Sequence, residues 1–165
     1  MFTCLKIRAL ICLLAVAAIG VGCSQQDQAP GNGQHGTSPD ENWGTNLEAA
    51  LTKAKTANKM VFVDFTGSDW CPPCKALKKN VFNSDEFKAY AKKHLVLVEL
   101  DFPRDKSKVT KEQAAYNREQ AKAFAVRGYP TVILMDADGK ELTKKVGFGR
   151  TSAEKYIAAL SKAIK

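Results

Sequence analysis

Apolar positions along this chain follow two rhythms, a helical recurrence and short continuous or alternating runs. Leu47, Ala50, Leu51 and Ala54 recur at helical spacing, with Thr45 or Asn46 placed to cap that helix. The run "MVFVDF" from Met60 is β-branched and aromatic, and it predicts a buried strand. Helical character returns from Ala76 to Val81, and Ser84, Asp85 and Glu86 mark another helical start reaching about Lys92. "LVLVEL" (95–100) predicts a second buried strand, and the charged stretch 102–109 a loop. Thr110 with Gln113 offers a capping box for a helix running to Val126. From Tyr129 to Phe148 the pattern is strand, tight turn at Asp138-Gly139, strand. Thr151 with Glu154 caps a last amphipathic helix carrying Ile157, Leu160 and Ile164 on one face. Strands separated by helices favour a parallel core, and the closing hairpin adds an antiparallel pair. The result is one α/β domain over 43–165, with no repeat and no second domain, long enough for one hydrophobic centre.

Before Trp43 these rhythms stop. Lys6 and Arg8 precede "ALICLLAVAAIGVG" (9–22), a stretch too short to span a bilayer comfortably and suited to the apolar part of an export signal. Residues 24–42 are polar and rich in Gly, Pro, Gln and Ser, so they cannot bury enough surface to offset ordering and read as a flexible tether holding a solvated His35. The junction "IGVGC", followed at once by polar sequence, resembles a bacterial lipoprotein signal, although Gly20 stands where such signals most often have leucine. That resemblance implies loss of residues 1–22 and a lipid on Cys23, with 23–42 as lipidated cysteine and tether. An ordinary export signal with an incidental cysteine, or an uncleaved anchor, are the alternatives. The protein would sit on the periplasmic side of a membrane. Ser24 is not the aspartate of the usual retention signal, so the outer membrane is favoured if the source has one.

Charge adds little. The formal net charge of +8 is divided among separate segments such as Lys53, Lys55 and Lys59, then Lys75, Lys78 and Lys79, and reads as solvated surface. An acidic partner or a membrane surface is the sharper alternative. No aromatic–basic interleaving argues for nucleic acid.

Cysteines change the picture. Of Cys4, Cys12, Cys23, Cys71 and Cys74, processing would leave only Cys71 and Cys74 as free thiols, which an exported protein can hold as a disulfide. They lie in "GSDWCPPCKAL", after a strand and at the opening of a helix. Unpaired N–H groups there stabilise a thiolate, the attacking species in disulfide exchange. Cys71, nearest the helix start, is the expected nucleophile, and Cys74, one turn on, the resolving thiol. Pro72 and Pro73 lack N–H donors, which costs little in a first helical turn. A zinc site needs about four ligands, and only His35 and His94 accompany the two thiols. Lys75 stands where a c-type haem site needs histidine.

"WCPPCK" after a strand and "RGYPTVIL" further on resemble the thioredoxin family, with Trp70, Cys71, Pro73, Cys74, Lys75, Gly128, Tyr129, Pro130 and Thr131 matching its two signatures. The likeness covers 43–165 and implies a thioredoxin fold, with a central mixed sheet of about four to five strands flanked by helices. It implies a cis Pro130 facing the cysteines, Tyr129 and Thr131 at the substrate contact, and Trp70 shielding a redox-active Cys71–Cys74 disulfide that needs no further cofactor. Asp64 is the candidate for the family's buried acid, which helps deprotonate the second cysteine. "DFTGSDWC" carries one residue more than the commonest spacing, and the lysine often found on the neighbouring strand is absent from "LVLVEL". "FTGSDWC" and "NVFNSDEF" resemble exported members, including the electron-delivering domain of transmembrane thiol reductases. The implied activity is reduction of disulfides in exported proteins, with such a reductase as the upstream electron donor. Copper handling, disulfide oxidation or isomerisation, and a non-catalytic binding module remain as alternatives.

Overall fold

The β-branched runs become the two central strands of a five-stranded sheet. The structure, a computed structural model, describes residues 42–164. The signal segment 1–22, Cys23 and the tether as far as residue 41 lie outside the described residues. In chain order the elements are β1 (Trp43–Gly44), α1 (Leu47–Ala57), β2 (Met60–Thr66), α2 (Pro72–Leu77), α3 (Asp85–His94), β3 (Leu95–Asp101), α4 (Lys111–Ala123), β4 (Thr131–Met135), β5 (Glu141–Val146) and α5 (Ala153–Ala163). The sheet order is β1-β3-β2-β4-β5. β2 and β3 pair in parallel, β4 runs antiparallel to β2, and β5 antiparallel to β4. This is the α/β thioredoxin arrangement expected, with a mixed sheet between helices.

Alternation along β2 divides the core. Val61, Val63 and Phe65 face α1 and α4, in a cluster with Leu47, Ala54, Val98 and Ile133. Phe62 faces the other layer, where Leu77, Phe82, Phe87, Leu134 and Tyr156 pack. Asp64 lies two positions beyond Phe62 and so shares its face, the one that carries α2.

Four local expectations are corrected. The short edge strand β1, parallel to β3 at Leu97 and Val98, was not predicted; two residues give no readable alternation. The helix after the cysteines begins at Pro72 and widens into a π turn over Lys78–Phe82, with the Asn83 N–H donating to Lys78 O at 2.9 Å. That turn buries the consecutive Val81 and Phe82. α4 ends at Ala123 rather than Val126, because Ala125 takes a left-handed φ of 48°. The α5 cap is Ser152, not Thr151: its hydroxyl accepts from Lys155 N. Elsewhere Asn46, Ser84 and Thr110 cap α1, α3 and α4 as their side-chain chemistry requires.

Candidate active site

The backbone between β2 and α2 is bent by a residue that cannot carry a side chain. A Cβ on Gly67 would stand 2.6 Å from the Trp70 indole, so the ring lies against bare backbone. Gly67 O accepts the Cys71 N–H at 2.9 Å, which closes the turn into α2. Cys71 is the N-cap of that helix, and its sulfur accepts the Cys74 N–H at 3.3 Å. Pro72 and Pro73 fill the next positions, are exposed, and lose no hydrogen bond there. Cys71 and Cys74 form a disulfide with an S–S distance of 2.05 Å, and both are buried. An N–H aimed at the Cys71 sulfur from a helix start favours its thiolate once the pair is reduced.

Opposite stands the loop before β4. The Tyr129–Pro130 peptide bond is cis, and Pro130 is buried. Thr131 is fully buried, with its hydroxyl donating to Gly128 O at 2.7 Å, and Gly147 N–H donates to Pro130 O at 2.7 Å. Thr131 therefore offers no surface to a substrate; its side chain fixes the loop. Tyr129 is different. Its ring meets Trp70 edge-on at 5.8 Å and Phe102 at 5.0 Å. Among the described residues no hydrogen bond engages its backbone N–H or C=O.

On the face of β2 that carries α2 lies a buried charge cluster. Asp64 is 3 % exposed, and its Oδ1 has no hydrogen-bond partner. Glu99, its register partner on β3, is also buried and accepts from Lys78 Nζ at 2.8 Å. Burial pushes the Asp64 carboxyl well above the usual carboxylate range; Glu99 and then Asp101 push the same way, and Lys78 opposes them. On α5, Tyr156 feels Asp64 as well, and its hydroxyl is raised by burial and by that charge. The lysine missing from β3 is thus supplied by the turn after α2, through Glu99. Sequence inspection missed this because it sought the cation on the strand.

Above the cysteines the carboxylates do other work. Asp101 accepts Ser68 N–H at 2.9 Å and Ser68 Oγ–H at 2.6 Å. Asp69 accepts the backbone N–H groups of Arg104 and Asp105 at 3.0 and 2.9 Å, which hold its carboxyl below the usual range. Trp70 Nε1–H donates to Phe102 O at 2.8 Å. The loop after β3 is therefore sewn to the loop before α2, and Arg104 lies over the Trp70 ring at 5.1 Å. Neither Asp69 nor Arg104 was identified from sequence as part of the site; the density of charge in 102–109 was the one available signal.

Among the described residues no group of three or more His, Cys, Asp or Glu side chains is placed to hold a metal ion. His94 ends α3 with its ring against Tyr90 at 4.7 Å.

A vicinal cysteine pair at a helix start, faced by a cis-proline loop on a mixed sheet, defines a thiol–disulfide oxidoreductase of thioredoxin fold. Residues 47–164 match the thioredoxin-like domain family, and the chain belongs to it. It is 33 % identical over 147 residues to the disulfide bond reductase DsbH of Chlamydia pneumoniae, covering 87 % of each protein. It also resembles the thiol:disulfide interchange protein DsbD of Colwellia psychrerythraea at 29 % identity, but spans only 19 % of that protein. Among solved structures, a DsbH oxidoreductase superposes with a TM-score of 0.68 at 31 % identity, over 82 % of this chain and 94 % of that one.

Proposed function

We propose that this protein reduces disulfides of exported proteins while held at a membrane, outside the cytoplasm, by a lipid on Cys23. The observation that carries the reading is the Cys71–Cys74 pair capping α2 opposite cis Pro130, in a chain similar over most of its length to a named disulfide bond reductase. The Cys71 thiolate attacks one sulfur of the client disulfide, and the other sulfur leaves as a thiolate and takes a proton. Cys74 then gives its proton to Asp64 and attacks the Cys71 sulfur. The client's second sulfur leaves as a thiolate and takes a proton from solvent, to which Asp64 gives up its own, and the Cys71–Cys74 disulfide forms. One client disulfide is reduced for each dithiol oxidised. A donor dithiol, such as that of a transmembrane thiol reductase, restores the pair by the reverse exchange. The unengaged backbone of Tyr129 suits pairing with an extended client segment, as an added strand pairs with a sheet edge. Trp70 shields the mixed disulfide. Under this reading 1–22 is removed, 23–42 is the tether and 43–165 the working domain.

Trapping tests the roles. Cys74→Ser should accumulate client mixed disulfides that run as higher-mass bands without reductant, and Cys71→Ser should accumulate none. Equal trapping by both variants, or by neither, overturns the assignment. Cys23→Ser should move the protein from the membrane fraction to the soluble fraction. Retention that only detergent reverses would point instead to an uncleaved apolar segment.

A further inference from the structure

Arg104 is the one charged side chain over the active-site tryptophan ring among the described residues, and it makes no ion pair there. It is exposed, while its backbone is fixed by Asp69. The surrounding charges are unevenly spent. Lys75 Nζ donates to Asp69 O, and Lys106 and Lys108 are exposed beside Arg104. The acidic members are occupied: Asp69 holds two backbone N–H groups, and Asp105 accepts from Ser107 N–H and Oγ–H. The rim over Trp70 and Tyr129 therefore presents its cations to solvent, while its carboxylates are engaged by N–H and O–H donors of their own loop. A guanidinium held over an indole by its cationic carbon still has N–H groups with which to take a carboxylate in a bidentate grip.

We propose that Arg104 and its loop are a specificity rim that selects protein segments carrying a carboxylate close to the target cysteine. The segment lies along Tyr129, and its acidic side chain pairs with Arg104. The inference rests on the thiol exchange described above and adds to it the chemical class of the preferred partner. In an exposed pair the gain is modest and falls with salt, so it acts on encounter and on kcat/KM rather than on the chemistry of the sulfurs.

The test uses the reduced protein and three single-cysteine peptides that differ only in Glu, Ser or Lys beside the cysteine. Each peptide is activated as its mixed disulfide with 2-thiopyridine. Attack by Cys71 on the peptide sulfur releases 2-thiopyridone, which takes up a proton and is read by absorbance; Cys74 then frees the peptide thiol as the Cys71–Cys74 disulfide forms. The leaving group drives the reaction whatever the reduction potential of the protein, and it is uncharged. At low salt the Glu peptide should exceed the Lys peptide by about fivefold in kcat/KM. Arg104→Glu should invert that order, Arg104→Lys should keep its direction, and high salt should erase it. The ratio between peptides is the readout, so any loss common to all three cancels. A wild-type ratio near one, or a ratio unchanged in Arg104→Glu, overturns the proposal. No release from any peptide would overturn the thiol chemistry itself, and the rim's role with it.

Discussion

Asp64 and Asp69 flank the same turn into Cys71, and the fold puts them to opposite uses. Asp64 is buried on the strand face that carries α2 with one oxygen unpartnered, so its charged form is costly and its proton is held unusually tightly. Asp69 sits at the surface with both oxygens on backbone N–H groups, so its charged form is favoured and it never needs the proton. Residue type is identical; solvent and hydrogen-bond donors decide the role. The floor of the site holds a carboxyl that favours its proton, which suits the proton exchange proposed above, and the rim holds a loop in place.

The largest break in this contrast comes from Asp64→Asn. If Asp64 accepts the Cys74 proton as proposed, this variant should slow release of a preformed Cys71 mixed disulfide by about 10²-fold at neutral pH, as rapid-quench kinetics would show. Stability should move the other way. A carboxyl with a raised folded pKa contributes most at pH below the ordinary carboxylate value, and that contribution is lost as pH rises through the folded value. Asp64→Asn escapes this loss and should be more stable than wild type by about 2 kcal/mol at pH 8, with the gap closing near pH 3, in urea titrations of the oxidised protein. A wild-type protein no less stable than the variant at pH 8 would mean that Asp64 is solvated or paired.

Lys78→Met is a smaller perturbation of the same floor. It leaves the Glu99 carboxylate buried without its cation, and should cost about 2 kcal/mol, less than a fully buried pair because the lysine is partly exposed. Since Lys78 opposes the rise in the Asp64 pKa, the pH midpoint of mixed-disulfide release should shift upward. An unmoved midpoint would separate Glu99 and Lys78 from the proton step.

Asp69→Ala should leave chemistry nearly intact and loosen the rim. Amide exchange at Arg104 and Asp105 should quicken by about tenfold, measured residue by residue. This protection belongs to a carboxylate with a depressed pKa. It is present above the ordinary carboxylate value and fades as pH falls through the lowered one, so wild type and variant should converge in acid. Unchanged exchange would show that the Trp70–Phe102 and Ser68–Asp101 hydrogen bonds suffice to secure the loop.

What could be read in the sequence was local. "MVFVDF", "WCPPC" and "GYPT" each carry a short-range signal: β-branching, thiols at a helix start, and a proline before a strand. Together they gave the fold and the pair of cysteines. Thr131 belonged to the right motif, but its burial depends on Gly128 and on strands β2 and β5 to either side. Lys78 and Glu99 stand 21 residues apart, and their ion pair joins the end of α2 to β3 only once the chain is packed. Asp69 and Arg104 are joined across 35 positions by a backbone hydrogen bond that leaves no trace in residue type. Partners fixed by tertiary packing were invisible; those fixed within one turn or one strand were not.

The direction of electron flow is the central claim, and the reduction potential of the Cys71–Cys74 couple tests it most directly. Equilibrated against a glutathione or dithiothreitol buffer, the couple should lie near that of thioredoxin, about −270 mV. A value near −120 mV, that of a strong disulfide donor, would contradict the reductase reading.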